Sequence, residues 1–373
     1  MSLSTLRGTR LKIDTLIFDM DGVITTEEKY WACARLTLWE VVTQTLGLSQ
    51  AFDDAVHDDT AREAVTADDL IYALKGRAVN SNWDITFVLV CVYLAALPGA
   101  KVSQAADAVE FLQTIRGTLS GTADWPRVLQ DFLASTHELE GRPLIQEAGN
   151  RLKIALGFGP AIEDAPLLQV EGPFWWYLHG RFQRFYHGEA LQAFDAPPLI
   201  DGTALPAEQI AATLKSLRDT GYTIGTATGR PLDELMDALG SLGLLDYFDA
   251  NRLGTLDVIR HAEAALSIRG LTKPHPFSLL KALYPEASLE TLLDPNFQRM
   301  QRDNVIVIGD STSDVLMAKA GGCHCVGVRT GVRGQAAQAE RAKLLLNAGC
   351  EAILDDITQL PEWLAEAETA INL

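Results

Sequence analysis

Positive charge is scarce in this sequence of 373 residues, which has 31 lysines and arginines against 49 aspartates and glutamates. The formal net charge of −18 repels phosphate backbones and anionic lipid surfaces, so we expect no nucleic-acid partner and no membrane partner. Cysteine is also scarce, and the five residues are scattered and odd in number. This pattern favours buried free thiols in a reducing compartment over a disulfide framework.

Long hydrophobic runs are absent as well. The longest, residues 85–97, is shorter than the roughly 20 residues that a bilayer span needs, and it predicts a buried helix. The basic residues near the N-terminus lead into no signal-peptide pattern, so we expect a cytoplasmic protein. With 47% hydrophobic residues the chain can still fold around a large core, and its length suggests two domains.

Hydrophobic periodicity separates a helical part of the chain from a part in which strands and helices alternate. Residues 11–18 form an apolar run that predicts a buried strand, and helical spacing then prevails from Trp31 to about Asp195. Further strands are predicted at residues 222–227, 304–308, 325–328 and 352–354. We therefore predict an α/β fold with a doubly wound, mostly parallel sheet and an all-α insertion after its first strand. Residues 157–160 follow no strand and predict a loop, not a nucleotide cradle.

Two polar motifs directly follow predicted strands, where the site of an open α/β sheet lies. In Asp19-Met20-Asp21 the period of two along an extended chain points both carboxylates the same way. Such a pair favours a bound cation or separate nucleophile and acid–base roles, although a turn acid beside a helix-capping acid is the simpler alternative. Thr228-Gly229 offers a hydroxyl and backbone amides to a phosphoryl oxygen, but Thr before Gly is also ordinary turn chemistry.

Two further motifs lie later in the chain. Lys273 is followed by Pro274 and Pro276 just before a predicted helix, where a surface lysine ahead of a proline-initiated helix is the alternative. Asp310 ends a strand and faces the predicted crevice, and Asp314 lies one helical turn later. For these two acids the alternative is helix N-capping.

Taken together and in this order, the four motifs resemble those of the haloacid dehalogenase (HAD) superfamily of phosphohydrolases. The resemblance covers about residues 11–30 and 200–365. It implies a Rossmann-like catalytic core, which we assign to residues 1–25 and 200–373. It also implies that residues 26–199 form a C1-type helical cap, enlarged relative to the usual compact one.

The resemblance implies a role for each motif. Asp19 would attack phosphorus and form an aspartyl-phosphate, and Asp21 would protonate the leaving oxygen and then deprotonate the hydrolytic water. Mg²⁺ and Lys273 would offset the repulsion between these acids and the phosphoryl dianion. The expected metal ligands are Asp19, the backbone carbonyl of Asp21, and Asp310.

The remaining motif residues would support these groups. Asp314 would orient Lys273 or a metal-bound water. Thr228, the Gly229 amide and Lys273 would hold the phosphoryl oxygens, with Thr226 as a competing source of the hydroxyl.

Substrate specificity is expected in the cap, because the core motifs contact only the phosphoryl group and the metal. The polar stretch 74–84 resembles the specificity loop of C1 caps, and its candidate contacts are Lys75, Arg77 and Trp83. A plain helix connection with Asp84 as N-cap is the alternative.

These roles predict a Mg²⁺-dependent phosphatase acting on a small phosphorylated metabolite. A phosphomutase of the β-phosphoglucomutase type shares all four motifs and is the nearest alternative. A non-catalytic, receiver-like phosphoacceptor is a more distant one.

Overall fold

A computed structural model describes residues 13–50, 52–99, 107–157 and 166–371, with side chains up to residue 367. The described residues form two compact units, one comprising residues up to Glu27 and from Asp201 onward, the other Glu28–Ile200. The first two residues of the predicted strand at 11–18, and three of the four residues of the predicted loop at 157–160, lie outside the described ranges.

The first unit is an α/β structure. Its strands are β1 (Thr15–Phe18), β2 (Thr223–Ala227), β3 (Leu253–Gly254), β4 (Arg302–Gly309), β5 (Cys323–Val328) and β6 (Ala352–Leu354). The second unit is helical, and we number helices along the whole chain. Its helices are α1 (Glu28–Trp39), α2 (Asp59–Glu63), α3 (Asp68–Lys75), α4 (Asn82–Ala96), α5 (Ala108–Ile115), α6 (Trp125–Ser135), α7 (Gly141–Ala155), α8 (Pro173–Tyr186) and α9 (Glu189–Ala193). The helices of the first unit are α10 (Ala207–Thr220), α11 (Leu232–Ser241), α12 (Leu256–Leu266), α13 (Phe277–Leu283), α14 (Leu289–Leu293), α15 (Pro295–Gln298), α16 (Thr312–Ala320), α17 (Gln335–Ala348) and α18 (Leu360–Ile371).

The six strands form one parallel sheet in the order β3-β2-β1-β4-β5-β6. Strand order reverses between β1 and β4, so this point is the topological switch where α/β proteins place their ligands. In register, Phe18 at the end of β1 lies opposite Thr226 of β2 and Ile308 of β4. The residues that follow these three strands therefore meet at one edge of the sheet.

Both faces of the sheet are covered, which explains why its strands are continuous apolar runs. Leu16 and Phe18 pack into a core on one face, whereas Ile17 between them packs into a separate core on the other. The predicted α/β fold with a mostly parallel sheet is confirmed. Strand β3 was not predicted, because two residues are too few to show a period.

The helical unit has a single large hydrophobic core. Helix α4 is the predicted buried helix, and every residue from Ile85 to Leu94 in it is buried. Helix α8 contributes Phe174, Leu178 and Phe182, which are fully buried and recur at every fourth residue, so they share one face. Among the described residues, no helix is both long and apolar enough to cross a membrane.

Candidate active site

Three of the predicted site residues come directly after neighbouring strands at the same edge of the sheet. Asp19 follows β1 and its backbone amide donates to the carbonyl of Ile308 at 2.8 Å. Thr228 follows β2, and Asp310 follows β4. Parallel register thus brings residues from distant parts of the chain to one place, as the sequence pattern predicts.

Lys273 joins this group from the loop that precedes α13. Its Nζ lies 2.7 Å from Asp19 Oδ1 and 2.6 Å from Asp314 Oδ1. Burial opposes the charge of the ammonium, but Coulomb attraction to the two carboxylates outweighs it and raises the pKa of Lys273. The lysine is therefore a fixed cation inside the acidic group, not the surface residue of the alternative interpretation.

Asp314 is fully buried and both of its carboxylate oxygens have partners. Oδ1 accepts from Lys273, and Oδ2 accepts from the Ser311 amide at 3.1 Å and the Ser311 hydroxyl at 2.6 Å. Ser311 and Asp314 form a capping box at the start of α16, so Ser311 is the N-cap. Helix capping therefore accounts for Asp314 in part and does not account for Asp310.

Asp19, Asp310 and Asp314 each place a carboxylate oxygen within 4.8 Å of the other two. Burial, followed by repulsion from Asp314, raises the pKa of Asp310 to about 7, with Arg341 acting in the opposite direction. Burial and the same neighbouring charge raise the pKa of Asp19, against the opposing effect of Lys273. Lys273 and Arg341, whose Nη1 lies 3.8 Å from Asp310 Oδ2, do not balance three clustered carboxylates, so the cluster favours a further cation.

The donor set fits a small divalent cation. Such ions prefer carboxylate and carbonyl oxygens, and the cluster provides both. Asp19 and Asp310 supply carboxylates, and the backbone oxygen of Asp21 accepts no hydrogen bond from the described part of the chain. Asp314 is the poorest ligand of the three acids, because Lys273 and Ser311 already occupy its oxygens.

Two glycines allow the backbone to approach Asp310 closely. A Cβ on Gly331 would lie 1.7 Å from Asp310 Oδ2, and one on Gly22 would lie 2.6 Å from the same atom. Gly22 also has φ of +85°, a left-handed conformation that disfavours other residues. The glycine after the second aspartate of the motif is therefore a steric requirement of the site.

The structure separates the two threonines near the end of β2. Thr226 Oγ1 donates to the Phe18 carbonyl at 2.7 Å, so its hydroxyl proton is used within the sheet. Thr228 Oγ1 accepts from the Arg230 amide at 3.2 Å, which leaves its own proton able to donate. Of the two, Thr228 is the one equipped to hold a phosphoryl oxygen, and Gly229 beside it is exposed.

Asp21 departs from the sequence prediction, which had both carboxylates of the motif pointing the same way. Its carboxylate lies against Arg230, with Arg230 Nη2 at 2.6 Å from Oδ1, and it is not one of the three clustered acids. Arg230 also pairs with Asp201 at 2.9 Å. Sequence reasoning assigned no role to Arg230 or Asp201, although Arg230 belongs to the polar stretch that follows β2.

The contacts of Arg77 contradict the prediction that this residue of the polar stretch 74–84 binds a substrate. Its guanidinium donates to the backbone carbonyls of Leu133, Thr136 and Leu139 at and beyond the end of α6. A guanidinium held by three carbonyls ties segments of the helical unit together and is not available to a substrate.

The alternative role for Asp84 is also wrong. Helix α4 begins at Asn82, and its N-cap is Ser81, whose hydroxyl accepts from the Asp84 amide at 3.3 Å. Asp84 instead accepts from Trp175 Nε1 at 2.8 Å. Trp83 lies in the first turn of α4, where its ring centroid is 4.8 Å from that of His179, and Lys75 ends α3.

Comparison with known structures agrees with the fold. An X-ray structure from the Northeast Structural Genomics Consortium superposes with a TM-score of 0.74 over 95% of this chain and 99% of that one, at 24% identity. This likeness shows a shared fold. The class is therefore a doubly wound α/β protein with an acidic site at its topological switch point.

Sequence comparison finds similar proteins for part of the chain. The HAD-hydrolase-like family matches residues 271–360. Phosphoglycolate phosphatase of Yersinia pseudotuberculosis is 32% identical over 123 residues, which is 33% of this chain and 43% of that protein. Pyrophosphatase PpaX of Bacillus pumilus is 28% identical over 130 residues, 35% of this chain and 49% of that protein. The chain thus matches less than half the length of these curated relatives. In these matches and in the order of its motifs, the chain is similar to phosphohydrolases of the HAD superfamily.

Proposed function

We propose that the protein is a Mg²⁺-dependent phosphatase that hydrolyses a small phosphorylated metabolite through an aspartyl-phosphate on Asp19. The observation that carries the proposal is the Lys273 ammonium between Asp19 and Asp314, beside Asp310, at the carboxyl end of the central strand. A partly exposed carboxylate beside a fixed cation is what attack on a phosphoryl dianion requires.

Each residue has a separate task in this reaction. The Asp19 carboxylate attacks phosphorus, and the bond from phosphorus to the leaving oxygen breaks. Lys273, the Thr228 hydroxyl and the Gly229 amide stabilise the phosphoryl oxygens as charge spreads over them. Asp314 keeps Lys273 in place, since its Oδ1 lies 2.6 Å from the ammonium.

Asp19, the backbone carbonyl of Asp21, and Asp310 would hold Mg²⁺, which supplies positive charge against the phosphoryl dianion when it is bound. Asp21 acts as the general acid and then as the general base. It protonates the departing oxygen and, in the second half of the reaction, takes a proton from the water that attacks the phosphoenzyme.

The substrate class follows from the relatives in outline only. Curated relatives are named for phosphoglycolate and for pyrophosphate, so proteins with similar core motifs recognise different leaving groups. We propose that residues 1–25 and 200–373 form the catalytic core and that residues 26–199 form a cap that selects the leaving group. With Arg77 excluded, Lys75 and Trp83 are the proposed contacts. Cytoplasmic location remains a prediction.

The test is phosphate release from a panel of phosphorylated metabolites by the purified protein, with and without Mg²⁺ and with the Asp19→Asn variant. We expect release that needs both the metal and Asp19. Transfer of phosphate within a sugar phosphate without release would indicate a phosphomutase. Stoichiometric phosphorylation without turnover would indicate a phosphoacceptor, and turnover by Asp19→Asn at the wild-type rate would contradict the proposal.

A further inference from the structure

Arg230 is an arginine buried among acids in the α/β unit. Only 1% of its side chain is exposed, compared with 22% for Asp21 and 2% for Asp201. Its Nη1 lies 2.9 Å from Asp201 Oδ1, and its Nε and Nη2 both donate to Asp21. A guanidinium presents its donors in a rigid plane, so an arginine anchored at one end by Asp201 has little freedom at the other.

The two carboxylate oxygens of Asp21 accept different numbers of hydrogen bonds. Oδ1 accepts three hydrogen bonds, from Arg230 Nη2 at 2.6 Å, Arg230 Nε at 3.1 Å and the Thr25 hydroxyl at 3.0 Å. Within the described residues, Oδ2 accepts one, from Arg230 Nε at 3.1 Å. Because a carboxylate oxygen offers about two lone pairs, Oδ1 is saturated and Oδ2 has room for a proton.

The network also fixes the backbone on which Asp21 lies. Arg230 Nη2 is 3.0 Å from Thr25 Oγ1, and Thr25 forms isolated bridges with Asp21 and with Thr203. The Thr26 amide donates to the Gly202 carbonyl at 2.9 Å. Two segments far apart in the sequence are thus joined around one guanidinium, and Asp21 is held from both its side chain and its main chain.

We propose that Arg230 is a positioning residue for the proton transfers, which saturates Oδ1 of Asp21 and so directs Oδ2 to the reacting atoms. This inference rests on the proposed function. In the first step the proton on Oδ2 moves to the leaving oxygen as its bond to phosphorus breaks. In the second, Oδ2 receives a proton from water as the water oxygen bonds to phosphorus and the bond from phosphorus to Asp19 breaks.

A purely structural role for Arg230 makes a different prediction. Losing a structural tie would weaken every step that depends on a folded site. Losing the position of Oδ2 weakens only the steps in which a proton moves. Leaving-group chemistry separates the two, because para-nitrophenolate departs without protonation, whereas the alkoxide of beta-glycerol phosphate does not.

The experiment compares the wild type with Arg230→Met and Arg230→Lys by rapid-quench and steady-state kinetics. For Arg230→Met we expect a loss of about 100-fold or more in the rate of phosphoenzyme formation from beta-glycerol phosphate. Phosphoenzyme formation from para-nitrophenyl phosphate should stay within about threefold of the wild type, and its hydrolysis should slow by about 100-fold, so that phosphoenzyme accumulates. Arg230→Lys keeps a charge opposite Asp201 but lacks the fork, and it should show the same pattern at about tenfold.

Arg302→Met is the matched control. Arg302 is another buried arginine of the same unit, at the amino end of β4, and its Nη1 donates to the carbonyls of Met300 and Gly321 at 2.6 and 2.8 Å. Its loss should lower thermal stability without changing the ratio of the phosphoenzyme-formation rates for beta-glycerol phosphate and para-nitrophenyl phosphate. If Arg230→Met does not fold, Arg230→Lys decides the question on the same ratio.

Equal losses in the rate of phosphoenzyme formation from the two substrates, or no loss with either, would overturn the role of Arg230. The double variant Asp21→Asn/Arg230→Lys should be no slower than Asp21→Asn alone, because the arginine then has no proton carrier to position, and a further loss would also overturn it. Wild-type protein that hydrolyses neither substrate overturns the proposed function with it. The Arg230 inference alone is overturned if the wild type is active, Asp19→Asn is inactive, and the Arg230 variants keep the wild-type ratio of phosphoenzyme-formation rates for the two substrates.

Discussion

The α/β unit and the helical unit use buried charge in opposite ways. In the α/β unit, buried acids and bases gather at one edge of the sheet in mixed groups, around Lys273 and around Arg230. In the helical unit, charged groups with little exposure stand apart, each with a partner of its own. Arg77 binds backbone carbonyls, Asp84 accepts from a tryptophan, and Glu40 pairs with Arg181.

This difference helps to distinguish charged groups that serve a reaction from charged groups that serve stability. Concentrating like charges has an unfavourable free energy, so a fold that does so needs a reason beyond stability. A single charged group with a hydrogen-bond partner of its own is explained by hydrogen-bond satisfaction alone. The comparison therefore predicts that substitutions in the first unit change rate and that substitutions in the second change stability.

The largest expected effect is that of Asp19→Asn. An amide is a poor nucleophile, so phosphate release should fall by about 1,000-fold or more, measured with a continuous phosphate assay. Because the substitution also removes one of the crowded negative charges, the melting temperature should stay the same or rise. A marked loss of stability with retained activity would contradict the comparison, because Asp19 would then serve stability and not the reaction.

Lys273→Met should have the next largest effect. Removing the cation leaves Asp19 and Asp314 close together without their shared partner, and it removes a contact to the phosphoryl oxygens. We expect kcat/KM to fall by about 100-fold or more. The check is steady-state kinetics together with thermal unfolding, and wild-type kcat/KM in a folded variant would show that the lysine is only a structural ion-pair partner.

Arg77→Ala should act on stability. Three carbonyls near the end of α6 lose their donor, which should cost about 1–3 kcal/mol in the free energy of unfolding, measured by urea titration. Lys75→Ala, two residues earlier and at the end of α3, is the control and should change stability little. Selective loss of activity toward one leaving group in the Arg77 variant, at unchanged stability, would restore the substrate role.

Asp84→Asn should leave the rate unchanged, and its effect on stability has the opposite sign to that of Arg77→Ala. Burial, partly offset by the hydrogen bond from Trp175, raises the pKa of Asp84 to about 6, above its value in the unfolded chain. Stability from this group is therefore full at low pH and is lost as pH rises through about 6. Asparagine keeps an oxygen for Trp175 and carries no charge. The variant should be more stable than the wild type at neutral pH by at most about 3 kcal/mol, and equal to it near pH 4. A gain that persists at pH 4 would exclude ionisation as the cause.

Strand periodicity and parallel topology made much of the α/β unit predictable. Asp19, Thr228 and Asp310 could be placed at one edge because each follows an apolar run and parallel strands end together. Arg230 could not, since its partners lie 29 and 209 residues away in the sequence and have no periodic signal.

The helical unit was predictable in type and less so in detail. Its apolar stripes are regular, and α4 and α8 lie where the periodicity predicts. Arg77 was misread because its partners are backbone carbonyls 56 to 62 residues further on, and a backbone group carries no mark in the sequence. Asp84 was misread as a cap because α4 begins two residues before it, at Asn82.

The most direct test of the account is to find which aspartate becomes phosphorylated. Asp21→Asn should slow hydrolysis of the phosphoenzyme, so acid quenching during turnover of para-nitrophenyl phosphate, followed by peptide mass spectrometry, should trap it. We predict one added phosphoryl group, on the peptide that contains Asp19, fragmenting at Asp19 and absent from the Asp19→Asn protein. Phosphate found on another residue, or an unmodified chain during active turnover, would contradict the assignment of Asp19 as the nucleophile.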